Sequence, residues 1–268
     1  MSALTAAFET ARAEDRAALI GYLPGGFPDK ETSVRLLKAM VAGGADVLEV
    51  GLPYSDPMMD GPVICAASET ALKAGTTTLD VFEIVSELRA SGAAITVMTY
   101  WNLIERYGAE KFAADLAAAG GCGVITPDLT PEEGGDWLAV CDRAGLDHVF
   151  LAAPSSTDER LGRVAAASSG FVYAASLMGV TGARSDPPLA AESLVRRLRA
   201  VTRLPIAVGL GVSTRAQAAG VAGYADGVIV GSAFVKAALQ AGGPDEAEAA
   251  VAALAAELAA GVRRLNGE

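Results

Sequence analysis

The alternation of eight short apolar runs with segments of helical periodicity predicts an α/β fold, a (β/α)8 barrel of the TIM type with an extra N-terminal helix. Two further observations favour a barrel over a doubly wound sheet. The length of 268 residues is usual for such barrels, and no Pro- or Ser-rich linker divides the chain. We therefore expect a single domain over residues 1–268.

The predicted elements follow one another in a regular order. Residues 1–18 have the pattern of a short amphipathic helix, which is the extra element. Apolar runs predict strands at residues 18–24, 46–53, 94–100, 123–128, 148–154, 171–177, 205–211 and 227–232. Amphipathic segments, several of them ending in glycine, predict outer helices at residues 32–43, 78–92, 109–120, 132–145, 158–170, 190–201, 214–224 and 245–265.

Composition argues against several classes of protein. A hydrophobic fraction of 51%, with 20% charged residues and a mean hydropathy of +0.35, describes a globular chain rather than a disordered one. The longest uncharged runs are far shorter than the ~18 apolar residues of a membrane span, and the first residues lack the apolar core of a secretory signal. We expect a cytoplasmic protein that does not bind membranes. The formal net charge of −11 argues against nucleic-acid binding.

The cysteines and the histidine do not form a metal-binding pattern. Cys65, Cys122 and Cys141 are odd in number and lack the spacing of metal ligands. The single histidine, His148, lies in the apolar stretch LDHVFLAA. We therefore expect no metal site and no role for the thiols.

Glu49 lies in the middle of the apolar run VLEVGLP, where an unpaired carboxylate is strongly disfavoured. Strand alternation places Leu48 and Val50 on one face and Glu49 on the other. If the apolar pair packs against the helices, Glu49 points into the mouth of the barrel, where active sites of this fold lie. Desolvation there would raise its pKa and suit it to proton transfer near neutral pH. The alternative is a glutamate paired with Lys or Arg in the barrel core.

Asp60 follows in SDPMMDGP, a loop dense in turn-forming residues. Aspartate before glycine is most often part of a turn, so this residue alone is weak evidence for a site. Its position strengthens the case, because a long loop after the strand that carries Glu49 can fold over the same mouth.

Glycine-rich segments follow the last three predicted strands, at residues 178–185, 209–213 and 230–235. Glycine lets the backbone approach a ligand, and amides at a helix N-terminus bind phosphate without basic side chains. Barrels often bind phosphate in the loops after strands seven and eight. Each segment alone fits an ordinary turn, but three at consecutive strand ends predict a phosphate site.

Read together, LEVGLPYSDPMMDGP, GVTGAR, GLGVS and GSAFVK closely resemble the tryptophan synthase alpha chain family, over essentially the whole sequence. The resemblance implies a lyase that cleaves indole-3-glycerol phosphate to indole and glyceraldehyde 3-phosphate by a retro-aldol reaction. It implies no cofactor in this chain. The partner would be a tryptophan synthase beta chain that uses pyridoxal phosphate, in an alpha-beta-beta-alpha complex.

The resemblance also implies roles for individual residues. Glu49 would be the general acid/base that protonates the indole carbon bearing the glycerol chain and assists the side-chain hydroxyl. Asp60 would accept a hydrogen bond from the indole N–H, and Tyr173 would place its hydroxyl near Glu49. Thr181 would belong to a loop that closes on Asp60. The phosphate would be bound by Gly182, Gly211, Gly231 and Ser232. The indole slot would be lined by Tyr22, Met98, Tyr173, Leu210 and Ile229.

Four positions depart from the family pattern. Met59 stands where a small residue is usual, and Cys65 stands where glutamine is common. Thr70 and Leu177 stand where arginine is common. None of these departures removes a catalytic group implied by the resemblance.

Three other functions remain open at this point. A free-standing indole-3-glycerol phosphate lyase would be fast without a beta chain. A catalytically silent, partner-activating barrel would show no turnover. A generic phosphosugar isomerase barrel would accept a substrate without the indole ring.

Overall fold

The computed structural model describes residues 1–175 and 187–263. Within these ranges the strands form one parallel sheet in the order β5-β4-β3-β2-β1-β9-β8-β7-β6. The strands are β1 Ala18–Pro24, β2 Val47–Gly51, β3 Ala94–Met98, β4 Gly123–Ile125, β5 Asp147–Val149, β6 Leu151–Ala152, β7 Val172–Ala175, β8 Ile206–Gly209 and β9 Gly227–Val230. The predicted TIM-type barrel is confirmed.

The fifth predicted strand is divided at Phe150. The segment before it, β5, pairs with β4, and the segment after it, β6, pairs with β7. The carbonyl of Phe150 accepts a hydrogen bond from the Tyr173 N–H at 3.2 Å. The sequence predicted one strand over 148–154, whereas the chain changes partner at Phe150 and joins the two ends of the sheet there.

Helices surround the sheet, and the predicted outer helices are present. The helices are α1 Ala3–Ala13, α2 Lys30–Ala42, α3 Pro62–Lys73, α4 Thr78–Leu88, α5 Trp101–Tyr107, α6 Ala109–Ala119, α7 Gly135–Ala144, α8 Asp158–Ala167, α9 Pro187–Arg199, α10 Arg215–Ala222, α11 Ser232–Gln240 and α12 Pro244–Gly261. In the described part of the chain, no helix has the length and apolar content needed to cross a membrane.

Two of these helices, α3 and α5, were not predicted from the sequence, and α11 was predicted only as a helix that begins after the last strand. The buried side chains of α3 are Ile64 and three small residues, so its apolar stripe is weak despite the Pro62 that favours a helix start. In α5 only Ile104 is buried. Short helices with so little apolar surface do not give a periodic signal.

The barrel interior and the helix-facing layer are separate apolar clusters, and β2 contributes to both. Val47 belongs to the interior cluster, whereas Leu48 and Val50 pack in the larger cluster against the helices. Alternation therefore directs Glu49 into the interior, as predicted. The extra helix α1 adds Leu4 and Phe8 to the interior cluster, so it packs against the end of the barrel opposite the strand C-termini.

Two aspartates stand directly before strands at that N-terminal end, and each pairs with an arginine. Asp46 receives two hydrogen bonds from the Arg16 guanidinium, at 2.6 and 2.8 Å, and one from the Leu19 N–H at 2.8 Å. Asp226 lies 2.5 Å from Arg199 and accepts the N–H of Ile206. These pairs tie neighbouring strands together below the site.

Candidate active site

A cavity of about 540 Å³ opens at the C-terminal ends of the strands. Most of the residues implicated by the sequence line it: Glu49, Asp60, Tyr173, Gly211, Gly231, Ser232, Tyr22, Met98 and Ile229. Leu210 is half-buried and packs against the larger helix-facing cluster. Thr181 and Gly182 lie outside the described residues, as does Leu177.

Glu49 is buried in this cavity, and no ion pair joins it to another residue of the described chain. It is 1% exposed, and its Oε2 has no hydrogen-bond partner among the described atoms. Burial, with a smaller contribution from the charge of Asp60, raises the pKa of Glu49 to about 8. No cation contributes to that shift, so the alternative of a core ion pair with Lys or Arg is not supported. A carboxyl with this pKa can both donate and accept a proton near neutral pH.

Asp60 is positioned by Tyr100, at the end of the loop between β2 and α3. The Tyr100 hydroxyl accepts the Met59 N–H at 3.0 Å and hydrogen-bonds to the Asp60 carboxylate. Burial raises the pKa of Asp60, and this hydrogen bond opposes the rise. The Tyr100 ring in turn packs on Tyr54, with 5.1 Å between the ring centroids. Tyr100 therefore holds the loop that carries Asp60 at the mouth of the barrel.

Two tyrosines line the cavity, and each lies against a glycine. A Cβ on Gly51 would lie 2.4 Å from the Tyr22 hydroxyl, and one on Gly209 would lie 2.8 Å from the Tyr173 hydroxyl. Burial raises the pKa of both phenols well above the usual value, and the carboxylates of Glu49 and Asp60 contribute. Both hydroxyls therefore stay protonated near neutral pH and can donate hydrogen bonds.

Another part of the cavity lining is built from glycine and a helix N-terminus. Gly211 has a positive φ of 69°, a conformation that favours glycine. Gly231 is the N-cap of α11 and makes no side-chain capping bond. A Cβ there would lie 3.0 Å from the Tyr22 ring. The first amides of α11, beginning at Ser232, lack intrahelical acceptors, which suits this end to an anion.

The cavity also contains residues that the sequence reasoning missed. Ile64 lines it from the unpredicted helix α3, and Leu151 lines it from β6. Lys236 also lines it, and its spacing of four residues from Ser232 was the available signal. Tyr100 could have been suspected from its place directly after β3 at the same barrel end.

Three of the four departures from the family pattern, Met59, Cys65 and Thr70, lie on or near α3. The thiol of Cys65 donates to the Asp60 carbonyl, with 3.4 Å from sulfur to oxygen. The hydroxyl of Thr70 donates to the Ala66 carbonyl at 2.8 Å within the helix. Met59 lines the cavity and is 45% exposed.

The three cysteines and the histidine do not line the cavity. Burial raises the pKa of Cys122 and of Cys141 to about 12, so neither is a nucleophile near neutral pH. His148 Nε2 lies 3.3 Å from an Asp142 carboxylate oxygen, outside the cavity lining. Within residues 1–175 and 187–263, no group of three potential His, Cys, Asp or Glu ligands is gathered for a metal ion.

The arrangement suits a ligand with two different ends. Proton-transferring carboxyls and anion-binding amides both line the cavity. Apolar side chains, which include Met98, Ile229 and Leu151, form much of the remaining lining and suit a flat apolar group.

Comparisons with known proteins agree with this geometry. Residues 8–263 match a family model described as tryptophan synthase alpha chain. A tryptophan synthase alpha chain from Thermobifida fusca is 60% identical over 266 residues, covering 98% of each chain. One from Acidothermus cellulolyticus is 56% identical, covering 99% of this chain and 98% of its own. A crystal structure of tryptophan synthase from M. tuberculosis, in an open form with BRD0059 bound, superimposes with a TM-score of 0.89. It is 52% identical and covers 98% of this chain and 99% of its own.

Proposed function

The chain belongs to the tryptophan synthase alpha chain family, and from this we propose that it cleaves indole-3-glycerol phosphate to indole and glyceraldehyde 3-phosphate by a retro-aldol reaction. Its place in tryptophan biosynthesis as an alpha subunit follows from the family. The observation that carries the reaction is the pair of carboxyls in one cavity, with the pKa of Glu49 raised to about 8.

Glu49 performs both proton transfers in the proposed reaction. In its protonated form it delivers a proton to the indole carbon that bears the glycerol chain, which leaves positive charge on the ring nitrogen. It then takes the proton of the adjacent side-chain hydroxyl. The carbon–carbon bond breaks, its electron pair returns to the ring, and the hydroxyl carbon becomes the aldehyde of glyceraldehyde 3-phosphate. One proton is given and one regained, so Glu49 ends in its starting form.

Asp60 and Tyr173 support these steps. Asp60 accepts a hydrogen bond from the indole N–H and stabilises the positive charge that develops there. Tyr173, whose burial keeps its hydroxyl protonated, would place that hydroxyl near Glu49. The different environments of the two carboxyls divide the roles between them.

The remaining site residues bind and enclose the substrate. Gly182, Gly211, Gly231 and Ser232 would bind the phosphate. Tyr22, Met98, Leu210 and Ile229 would form the indole slot, and Thr181 would close over Asp60. The reaction uses no cofactor in this chain, because its proton transfers need only side chains already named.

The proposed partner is a tryptophan synthase beta chain in an alpha-beta-beta-alpha complex, where pyridoxal phosphate would be bound. Support comes from the family name and from the groove beside Tyr54 and Asp56. Tyr54 packs on Tyr100, and Tyr100 hydrogen-bonds to Asp60. A beta chain bound in this groove would therefore act on the position of Asp60 through Tyr54 and Tyr100.

The test is indole release from indole-3-glycerol phosphate by the purified chain, with and without a beta chain. Glu49→Gln is compared with wild type and with Glu69→Gln, a matched control on the exposed side of α3. We expect slow turnover that rises with beta chain, a loss of at least about 10²- to 10⁴-fold in Glu49→Gln, and unchanged activity in Glu69→Gln.

The other outcomes contradict parts of the proposal. Fast turnover without a beta chain would indicate a free-standing lyase. No turnover under either condition would indicate a silent, partner-activating barrel. Retained activity in Glu49→Gln would remove this residue as the acid/base.

A further inference from the structure

Lys236 lies in the cavity but has no part in the proposed proton transfers. It lines the same cavity as Gly211, Gly231 and Ser232, and no other Lys or Arg of the described residues does so. Its side chain is exposed to solvent. The lysine ion pairs found among the described residues engage Lys30, Lys73 and Lys111, and none engages Lys236. Its ammonium group is therefore available to a ligand.

The geometry of α11 directs this side chain toward the proposed phosphate position. Lys236 follows Ser232 by four residues, so the two share one helix face about 6 Å apart along the axis. Helical Cα–Cβ bonds tilt toward the N-terminus, and long side chains lie back over the preceding turn. The lysine stem therefore runs back toward Ser232 and the first free amides of the helix.

The charges of the cavity indicate which ligand group this ammonium would bind. Among the described residues, the other ionisable groups of the lining are the carboxyls Glu49 and Asp60 and the phenols Tyr22 and Tyr173, and the whole chain has a formal net charge of −11. Backbone amides supply only partial positive charge, whereas a phosphate monoester brings close to two negative charges. In the same cavity, the Oε2 of the buried Glu49 is a second group without a protein partner among the described atoms.

We propose that Lys236 determines specificity for the phosphorylated substrate by pairing with its phosphate. The inference rests on the proposed function, because it assigns a charge partner within the same phosphate site. Lys236 acts on substrate binding rather than on proton transfer. It therefore discriminates between indole derivatives that carry a phosphate and those that do not.

The test compares binding of two probes, glycerol 3-phosphate and indole, to Lys236→Met, Lys236→Arg and wild type. For Lys236→Met we expect the Kd of glycerol 3-phosphate to rise about five- to thirtyfold, with the Kd of indole unchanged. Lys236→Arg keeps the charge and should stay within about threefold of wild type. Turnover should show a raised KM for indole-3-glycerol phosphate and a kcat within about twofold of wild type.

Lys38→Met is the matched control, since Lys38 is an exposed lysine of α2 away from the cavity. It should leave both Kd values unchanged. The salt dependence of glycerol 3-phosphate binding should also weaken in Lys236→Met but not in the control.

Three results would overturn the inference. Equal binding of glycerol 3-phosphate by wild type and Lys236→Met would show that the ammonium does not contact phosphate. A parallel loss of indole binding would show that the lysine only shapes the cavity. Failure of the wild type to bind glycerol 3-phosphate would contradict the phosphate site, and with it the proposed function. That result differs from one in which the wild type and Lys236→Met both bind glycerol 3-phosphate equally well.

Discussion

At the N-terminal end of the barrel Asp46 and Asp226 each face an arginine, whereas at the C-terminal end Glu49 and Asp60 form no ion pair with any residue that the structure describes. The paired acids hold strands together. The unpaired acids have raised pKa values, and a group with a raised pKa can transfer protons near neutral pH. One fold thus uses the same type of side chain for stability at one end and for reactivity at the other, and the presence of a cation separates the two uses.

The largest expected effect comes from breaking the paired end. Arg16→Met leaves Asp46 without its guanidinium partner, and both side chains are mostly buried. We expect the free energy of unfolding to fall by about 3–5 kcal/mol, measured by urea denaturation, with unchanged turnover per folded molecule. Arg35→Met is the control, because Arg35 pairs with Asp245 and Glu248 at the surface. It should cost less than about 1 kcal/mol. Equal losses in the two variants would contradict the comparison.

The buried Glu49 at the C-terminal end should make the free energy of unfolding depend on pH. The pKa of Glu49 is about 8 in the native state, against an ordinary value of 4.5. The native state therefore binds this proton more tightly than the unfolded chain, and rising pH from 5 to 8 favours unfolding. We expect this carboxyl to cost the wild type up to about 4 kcal/mol over that range. Glu49→Gln should not show this loss. If the free energies of unfolding of wild type and Glu49→Gln changed with pH in parallel, the pKa of Glu49 would not be raised.

Adding a methyl group at Gly209 should affect the activity of the site more than the stability of the fold. Gly209→Ala places a Cβ 2.8 Å from the Tyr173 hydroxyl, so the tyrosine must move. We expect a loss of about 1–3 kcal/mol in stability and a lower kcat, measured by urea denaturation and indole release. Gly162→Ala, in α8, meets nothing within 4 Å and should leave both quantities unchanged or raise stability slightly. Full activity in Gly209→Ala would show that the position of Tyr173 is unimportant.

The smallest expected effect comes from removing the Tyr100 hydroxyl, which supports Asp60. Tyr100→Phe removes the acceptor of the Met59 N–H and the donor to the Asp60 carboxylate. We expect a loss of about 1 kcal/mol in stability. The hydrogen bond lowers the pKa of Asp60, so its removal should shift the acidic limb of the pH–rate profile to higher pH. Tyr107→Phe is the control, since its hydroxyl bonds Asp115 away from the cavity. An unshifted limb in Tyr100→Phe would contradict the assigned contact.

The barrel and the direction of Glu49 could be predicted because they rest on simple periodicities. Alternation in β2 is decisive, since Leu48 and Val50 must face the helices if Glu49 faces the interior. The position of Asp60 was predicted only in outline, from the length of the loop that carries it. Its partner Tyr100 comes from a different strand end, and a contact between distant segments has no local signal in one sequence.

Other features depend on packing that periodicity does not encode. The helix α3 was missed because small residues fill much of its buried face. The need for glycine at position 51 depends on where the Tyr22 ring lies. Lys236 looked like an ordinary helix residue until the cavity placed it beside Gly231.

The division of the fifth strand at Phe150 gives the barrel a seam. Within the described sheet no ladder joins β5 to β6, so at that point the ring is continued by the chain itself. A cut in the backbone there would turn the closed ring into an open sheet with two free edges. One of the resulting fragments would contain β1 to β5 and the other β6 to β9, and the ladder between β1 and β9 would be the one described strand pairing that joins them. One peptide segment thus connects the two end strands of this sheet.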